Sequence, residues 1–445
     1  MARAVSAALG ERPEAAVLGE ASEARSTLCR VVIGRDTRLS GHFLEQAMAA
    51  GFSASGVEVF CVGVVPTPAV AFLTKTLRAD LGVVLSASHN SSGDNGIKFF
   101  NGAGRKLDDA TEFAIERAYF QLEAQGVGMP SGSGSVHEGC VSVGRVHMVE
   151  DALGRYVEGV KRSVPEGFDL KGMRIAVDCA QGAASKSTPQ LLRELGAEVV
   201  VGFDRPDGSN INADCGSTYP EAIQRLVRDS GAVLGISHDG DADRVLLCDH
   251  MGELVDGDEM LAIAAIALLQ EDRLPQRTVV ATVMGSFGLE EALAPYGGRV
   301  VRAAVGDRYV IEEMQRGGFA LGGEQSGHMI FGEYTTTGDG ALSALQILRV
   351  LRESDQSLQE LKTCLRKYPQ VLRNLPVREK PPLEELASVS TVVDAVTHSL
   401  NGKGRVLLRY SGTEPKVRVL VEGRDAGEIA GHAEQIAKAL IEAIG

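Results

Sequence analysis

Short, nearly uninterrupted runs of valine, isoleucine and leucine recur along this chain. Each is followed by a polar or glycine-rich turn and then a helical pattern. The runs fall at 31–33, 81–85, 174–177, 232–236 and 278–283. Strand–loop–helix alternation of this kind calls for parallel sheets with helices packed on them. A strand that is apolar on both sides must be covered on both faces. A chain of 445 residues is too long for one core, so three or four domains are expected. After Tyr368 and Pro369 the character changes. Residues 405–409 and 416–422 read as two strands about a turn, followed by a helix over 426–443. The second strand alternates with a period of two, which predicts one solvated face. The expected units are α/β segments 1–152, 153–256 and 257–368 and a smaller α+β segment 369–445. Residues 128–135, rich in glycine and serine, read as a flexible loop.

A net charge of −14 argues against nucleic acid as a partner, because phosphate backbones demand a basic surface. It does not exclude a small anionic substrate, since local basic loops set the field inside a cleft. No apolar run reaches the roughly 18 residues of a membrane span, and Met1 to Arg30 lacks the apolar centre of a signal peptide. The seven cysteines are scattered without zinc spacing, which fits idle thiols in a reducing cytoplasm.

Four motifs carry chemistry. The apolar run 81–85 ends in Ser86-Ala87-Ser88-His89-Asn90, with Lys98 downstream. Two hydroxyls beside an imidazole suit covalent chemistry on Ser86 or Ser88, provided a neighbour activates the serine; equally, the serines could cap a helix. No Gly-x-Ser-x-Gly elbow surrounds them, so an α/β-hydrolase is a poor fit. The second motif is Asp239, Asp241 and Asp243, followed by Arg244. Carboxylates at every second residue can converge on one hard cation. The spacing fails as an EF-hand, since Arg244 stands where glycine belongs and His250 where the bidentate glutamate belongs. Three acids favour Mg²⁺ with a position left for a phosphate oxygen; the plainer alternative is a solvated acidic turn. The third motif, residues 322–328, brackets Glu324, Gln325, Ser326 and His328 with glycines and could hydrogen-bond a sugar. The fourth, Arg409 through Ser411, Gly412 and Thr413, joins the two late strands. An arginine fork, hydroxyls and freed backbone N–H groups could cradle phosphate, or the segment is an ordinary hairpin turn.

In this order and at these separations the four motifs resemble the α-D-phosphohexomutase family: its phosphoserine, metal, sugar-specificity and phosphate loops. Residues 34–38, 66–68, 305–309 and 335–340 agree with it. The resemblance implies three consecutive α/β/α domains with mixed sheets and a smaller α+β domain around a central cleft. It also implies a mechanism. Ser88, the serine next to the histidine, would carry a phosphoryl group. Asp239, Asp241, Asp243 and an oxygen of the phosphorylated Ser88 would hold one Mg²⁺. His89 and Lys98 would move the proton of a sugar hydroxyl, and Arg244 would add charge. Glu324, Ser326 and His328 would bind the sugar. Arg409, Ser411, Gly412 and Thr413 would hold the phosphate that is not reacting. Within the family, the forms of the metal and sugar loops are most similar to the branch acting on glucosamine phosphates. That branch interconverts the 6- and 1-phosphates through a glucosamine 1,6-bisphosphate, which also serves as primer, and supplies cell-wall amino sugars. The partner expected is a phosphosugar substrate, with a homodimer left open.

The chain departs from the family pattern in places. Members usually begin with a strand and an arginine-bearing loop facing the phosphoserine, and nothing from Met1 to Arg30 matches it. The expectation is that this strand and loop are missing, and that residues 1–10 form the helix that would follow them. His238 replaces a common phenylalanine and is expected to pack rather than bind metal. Ser91 replaces a proline, and Met284, Gly285 and Ser286 stand for a more usual Met-Ser-Asn. The alternatives are a phosphomannomutase or phosphoglucomutase of the same family, a sugar-phosphate-binding member without catalysis, and a phosphatase.

Overall fold

The computed structural model describes residues 1–10, 30–124, 143–411 and 415–445. The glycine/serine-rich segment 128–135 lies outside these. The first sheet has strands β1 (Arg30–Arg35), β2 (Glu58–Val64), β3 (Leu81–Leu85), β4 (Ile97–Asn101) and β5 (Val146–Met148), in the order β4-β3-β1-β2-β5. The second has β6 (Arg174–Asp178), β7 (Glu198–Gly202), β8 (Leu234–His238), β9 (Val245–Asp249) and β10 (Leu254–Val255), in the order β10-β9-β8-β6-β7. The third has β11 (Thr278–Thr282), β12 (Arg299–Ala303), β13 (Leu321–Gly323) and β14 (Met329–Phe331), in the order β12-β11-β13-β14. The fourth is antiparallel, with β15 (Gln370–Pro376), β16 (Gly404–Tyr410) and β17 (Lys416–Gly423) in the order β15-β17-β16. The first three are mixed. Their central strands run parallel, while β4, β9 and β14 turn back antiparallel beside β3, β8 and β13.

The apolar runs behave as their composition demands. All five residues of β3, β8 and β11 are buried, because helices cover both faces of each sheet. Strand β8 begins two residues later than its apolar run, so His238 is its last residue. The helix expected over residues 1–10 spans Ala2–Gly10 and packs on the helices Leu39–Ala54 and Asp109–Ala124. Its Val5 is fully buried beside Val31, Ile33 and Phe52.

One apolar core runs without a break through the first three units. The helix Ala152–Lys161 carries it, burying Tyr156, Val157 and Val160 between the helices Thr67–Thr76 and Ala184–Glu194. This continuity fixes the three sheets against one another. The fourth unit keeps a separate core of Val389, Val417, Val419, Val421, Ile429 and Ile436, among others. In β17 the predicted alternation holds through Val419 and then stops, since Leu420 to Gly423 are all buried. The reason is docking: the Glu422 carboxylate accepts the N–H of Phe287 at 3.0 Å on the third unit. Among the described residues no helix is long and apolar enough to cross a membrane.

Candidate active site

The loop after β3 is tied from below by one arginine. Arg38 is fully buried. Its guanidinium donates to the carbonyls of Ser88 at 3.1 Å, Asn90 at 2.8 Å and Asp94 at 3.0 Å, and also to that of Ser91. Its Nε donates to Asp36 Oδ2 at 2.8 Å, so the buried charge is paired and its donors are used. Asp36 Oδ2 also accepts the Ser86 hydroxyl at 2.7 Å, and Ser86 Oγ in turn accepts the Ser88 N–H at 2.9 Å. The Asn212 amide, from the second unit, donates to the Ser88 and Asn90 carbonyls at 3.0 and 2.9 Å. This bracing holds Ser88 in left-handed backbone at φ 52°, a conformation that costs a residue with a Cβ about 1 kcal/mol. The two serines are thereby distinguished. Ser86 is buried and bonded within the scaffold, whereas the Ser88 hydroxyl donates to Asp239 Oδ2 at 2.6 Å.

Asp239, Asp241 and Asp243 lie at the C-terminal end of β8, where parallel α/β sheets gather their ligands. The two loops touch directly: a Cβ on Gly240 would sit 2.7 Å from the Ser88 carbonyl oxygen, so only glycine fits. One ligand atom from each aspartate lies within 4.8 Å of the others, and all three residues are buried. Lys98, on β4, donates to Asp241 Oδ2 at 2.6 Å and Asp243 Oδ2 at 3.3 Å. The Thr67 hydroxyl donates to Asp241 Oδ2 at 2.5 Å, and its N–H to the Asp241 carbonyl at 2.9 Å. Arg244 donates its N–H to Asp239 Oδ1 at 3.2 Å and brings its Nε 4.0 Å from Asp243 Oδ1.

The electrostatics follow from crowding. Burial, then the charges of Asp243 and Asp241, push the Asp239 carboxyl well above the ordinary range. Burial pushes Asp243 the same way, but Lys98, His328 and Arg244 outweigh it and hold the group well below that range. Burial opposes the Lys98 charge, yet Asp241 and Asp243 raise its pKa. His89 lies at the rim, its basicity lowered by partial burial and by the Arg244 charge. Asp241 Oδ1 and Asp243 Oδ1 are buried without a hydrogen-bond partner. Three converging carboxylates, two of them with an unpartnered oxygen, fit a hard divalent cation, which would meet those lone pairs and relieve their mutual repulsion. His238 takes no part: it is buried, with Nε2 2.9 Å from Thr188 Oγ1.

The third unit closes one side. In the turn between β13 and β14, Glu324 Oε1 accepts the Gly306 N–H at 3.0 Å, and Ser326 Oγ lies 3.5 Å from Glu324 Oε2. His328 is buried, with Nδ1 3.8 Å from Asp243 Oδ1 and Nε2 3.6 Å from Asp307 Oδ2. Asp307 is ion-paired with Lys106 of the first unit. Gly327, at φ 88°, accepts the Val245 N–H at 3.1 Å and so ties this turn to the metal loop.

Ser88, His89, Lys98, the three aspartates, Arg244, Glu324, Ser326 and His328 therefore share one cluster built from three sheets. Arg409 and Ser411 stand apart from it on the fourth unit. Arg409 lies opposite Arg418 across β16 and β17, and burial, then that neighbouring charge, lower its pKa. The Ser411 carbonyl accepts from Lys380 Nζ at 2.7 Å. Gly412 and Thr413 lie outside the described residues. Sequence reasoning assigned no role to Arg38, Asp36, Thr67, Asn212 or Asp307. Four of these sit in stretches that agree with the family pattern; Asn212 carries no local signal.

Models of the phosphoglucomutase/phosphomannomutase family match four successive stretches: alpha/beta/alpha domain I at 14–126, domain II at 154–252, domain III at 256–368 and the C-terminal domain at 372–439. The phosphoglucosamine mutase of Syntrophotalea carbinolica is 48% identical over 416 residues, covering 94% of this chain and 89% of that protein. That of Anaeromyxobacter dehalogenans is 49% identical over 416 residues, covering 94% and 91%. Among solved structures, a phosphoglucomutase/phosphomannomutase family protein from Burkholderia thailandensis superposes with a TM-score of 0.77 at 23% identity, covering 99% of this chain and 93% of that one. A fold of three mixed α/β/α units and a small antiparallel one, with a serine held against an aspartate triad, is thus matched along nearly its whole length, and the chain belongs to the phosphoglucomutase/phosphomannomutase, or α-D-phosphohexomutase, family.

Proposed function

We propose that this chain is a phosphoglucosamine mutase, an isomerase that interconverts glucosamine 6-phosphate and glucosamine 1-phosphate. The observation that carries the reading is the Ser88 hydroxyl, held 2.6 Å from Asp239 inside a cluster of carboxylates and cations. The names of the relatives, 48–49% identical, supply the substrate. The matched family stretches support divisions near 152/153, 256/257 and 368/369.

Phosphorylated Ser88 is the donor. The sugar O1 attacks its phosphorus, the phosphorus–Oγ bond breaks, and the electron pair returns to Ser88 Oγ. The proton of the sugar hydroxyl passes to His89, because Lys98, kept charged by Asp241 and Asp243, has no lone pair to accept it and instead adds positive charge beside the transferring group. The resulting 1,6-bisphosphate turns end for end, and Ser88 takes back the phosphoryl group from O6. Glu324, Ser326 and His328 orient the sugar. Arg409, Ser411, Gly412 and Thr413 hold the distal phosphate in both halves of the cycle. Asp239, Asp241, Asp243 and the phosphorylated Ser88 would hold Mg²⁺, which would supply charge neutralisation for the transferring group. Arg244 adds a fixed positive charge beside it. Thiols are free at Cys61, Cys179, Cys215, Cys248 and Cys364, in keeping with a cytoplasmic enzyme.

The test is kcat/KM measured side by side on the 6-phosphates of glucosamine, mannose and glucose, with bisphosphate primer. Glucosamine 6-phosphate is expected to lead, and a preference for mannose or glucose would replace this assignment by a phosphomannomutase or phosphoglucomutase.

A further inference from the structure

The joint between the third and fourth units is built around a buried ion pair. At its centre is the Glu422 carboxylate, fully buried near the C-terminal end of β17. On its own unit, Arg405 Nε and Nη2 grip it at 2.9 and 2.8 Å. From the third unit, Ser286 Oγ donates to it at 3.2 Å and the Phe287 N–H at 3.0 Å. Arg405 Nη2 also donates to the Gly285 carbonyl. The receiving loop is itself anchored: Arg302 binds the Gly285 and Ser286 carbonyls at 3.0 and 2.7 Å, and Asp258 Oδ2 accepts the Ser286 N–H at 2.8 Å. A buried carboxylate that bonds both units at once holds them in one relative position, because removing either side leaves a charge unpaired away from water.

The same two strands carry the phosphate-binding end. Arg405 pairs in register with Glu422, and four residues further along β16 Arg409 pairs in register with Arg418. The strand rises about 3.3 Å per residue, so roughly 13 Å separates the two pairs. A hydrogen-bonded strand pair is stiff over that length. A small rotation at Arg405 and Glu422 is therefore carried to Arg409 and Ser411 as a displacement.

We infer that Glu422 and Arg405 are positioning residues: they form the pivot that sets where the cradle of the fourth unit stands relative to Ser88. The inference rests on the mutase reading for what the cradle holds, but not for the existence of the pivot.

The experiment uses the full chain with Glu422→Gln and Arg405→Lys. The first removes the charge, and the second keeps a cation while losing the fork. Small-angle X-ray scattering is expected to show a broadened distribution of interatomic distances in both variants. A 1 Å misplacement can cost about 100-fold. The kcat/KM for glucosamine 6-phosphate should fall by about that factor, while phosphoryl transfer from Ser88 to glucosamine, which has no distal phosphate, changes by less than about twofold. Equal loss with both acceptors would mean general damage and would overturn the inference, as would unchanged rates or unchanged scattering. If Glu422→Gln does not fold, Ser286→Ala, which removes one donor and leaves the ion pair, takes its place with the same readings. Wild-type protein that fails to interconvert the phosphosugars would sink the mutase reading alone, and scattering would then decide the pivot.

Discussion

Ser88 Oγ and Asp239 Oδ2 meet at 2.6 Å although 151 residues separate them, while Ser86, two residues away, spends its hydroxyl on Asp36 at 2.7 Å. The two serines should therefore respond differently to truncation. Intact-mass measurement on the purified protein is expected to find one phosphoryl group, lost in Ser88→Ala together with mutase activity. Ser86→Ala should keep the label and turn over more slowly, since it loosens the Ser88 N–H. A label that survives Ser88→Ala would move the nucleophile elsewhere.

Thr67 touches the aspartate triad without belonging to it. Its hydroxyl fixes one oxygen of Asp241. Partners of this kind orient a ligand, and their loss typically weakens metal binding about 10- to 100-fold. Thr67→Val should lower the affinity for Mn²⁺, used as a spectroscopic stand-in for Mg²⁺ and followed by electron paramagnetic resonance, by a factor in that range. Chelation should stop turnover in the wild type, and added Mg²⁺ should restore it.

Arg38→Lys keeps the charge and loses the fork that gathers the loop carbonyls. Lysine cannot reproduce the planar spread of donors, so the Ser91 and Asp94 carbonyls lose their arginine donor, and the Ser88 and Asn90 carbonyls keep only Asn212. The expected result is a lower Tm, faster amide exchange over residues 86–96, and a fall in kcat with little change in KM. A proportional rise in KM instead would place the defect in sugar binding.

Asp339 begins the helix Gly340–Ser354, accepting the Leu342 N–H at 3.0 Å and the Tyr156 hydroxyl at 2.8 Å. Burial pushes its carboxyl up to about 6, against the hydrogen bonds from Leu342, Tyr156 and Ala341 that lower it. The folded state therefore holds this proton to higher pH than the unfolded chain, whose aspartates titrate near 3.9. Between about pH 4 and 6 the folded state binds more protons, so stability falls as pH rises through that window. Asp339→Asn retains an acceptor for the cap and removes the titration. The Tm of the variant relative to the wild type should rise from pH 4 to pH 7, and a difference independent of pH would refute the assignment.

The buried parallel strands could be read directly because an apolar run covered on both faces has no other use. The serine loop after β3 and the aspartates were legible for a related reason: each packs its polar groups into a few adjacent residues. Strand β15 was not legible, since Gln370–Pro376 alternates too weakly, lies mostly exposed and ends in a proline. Arg38 and Thr67 were visible as residues but not as functions. What they do depends on carbonyls and carboxylates that arrive from 50 to 174 positions away. Asn212 is an ordinary loop amide until the second unit is folded against the first. The broken alternation of β17 has the same origin, because Glu422 is inward-facing only once the third unit supplies donors for it.

The two halves of the candidate site become complete at different moments in the life of a nascent chain. Arg38, Asp36 and Ser86 brace the serine loop using residues no later than Asp94, so that part of the scaffold can close as soon as the first unit has left the ribosome. Lys98 must wait for Asp241, 143 residues later, which at roughly 5–20 residues per second is an interval of about seven to thirty seconds. During that time the ammonium on β4 remains hydrated, and Ser88 lacks both the Asn212 amide that braces its carbonyl and the Asp239 carboxylate that accepts its hydroxyl.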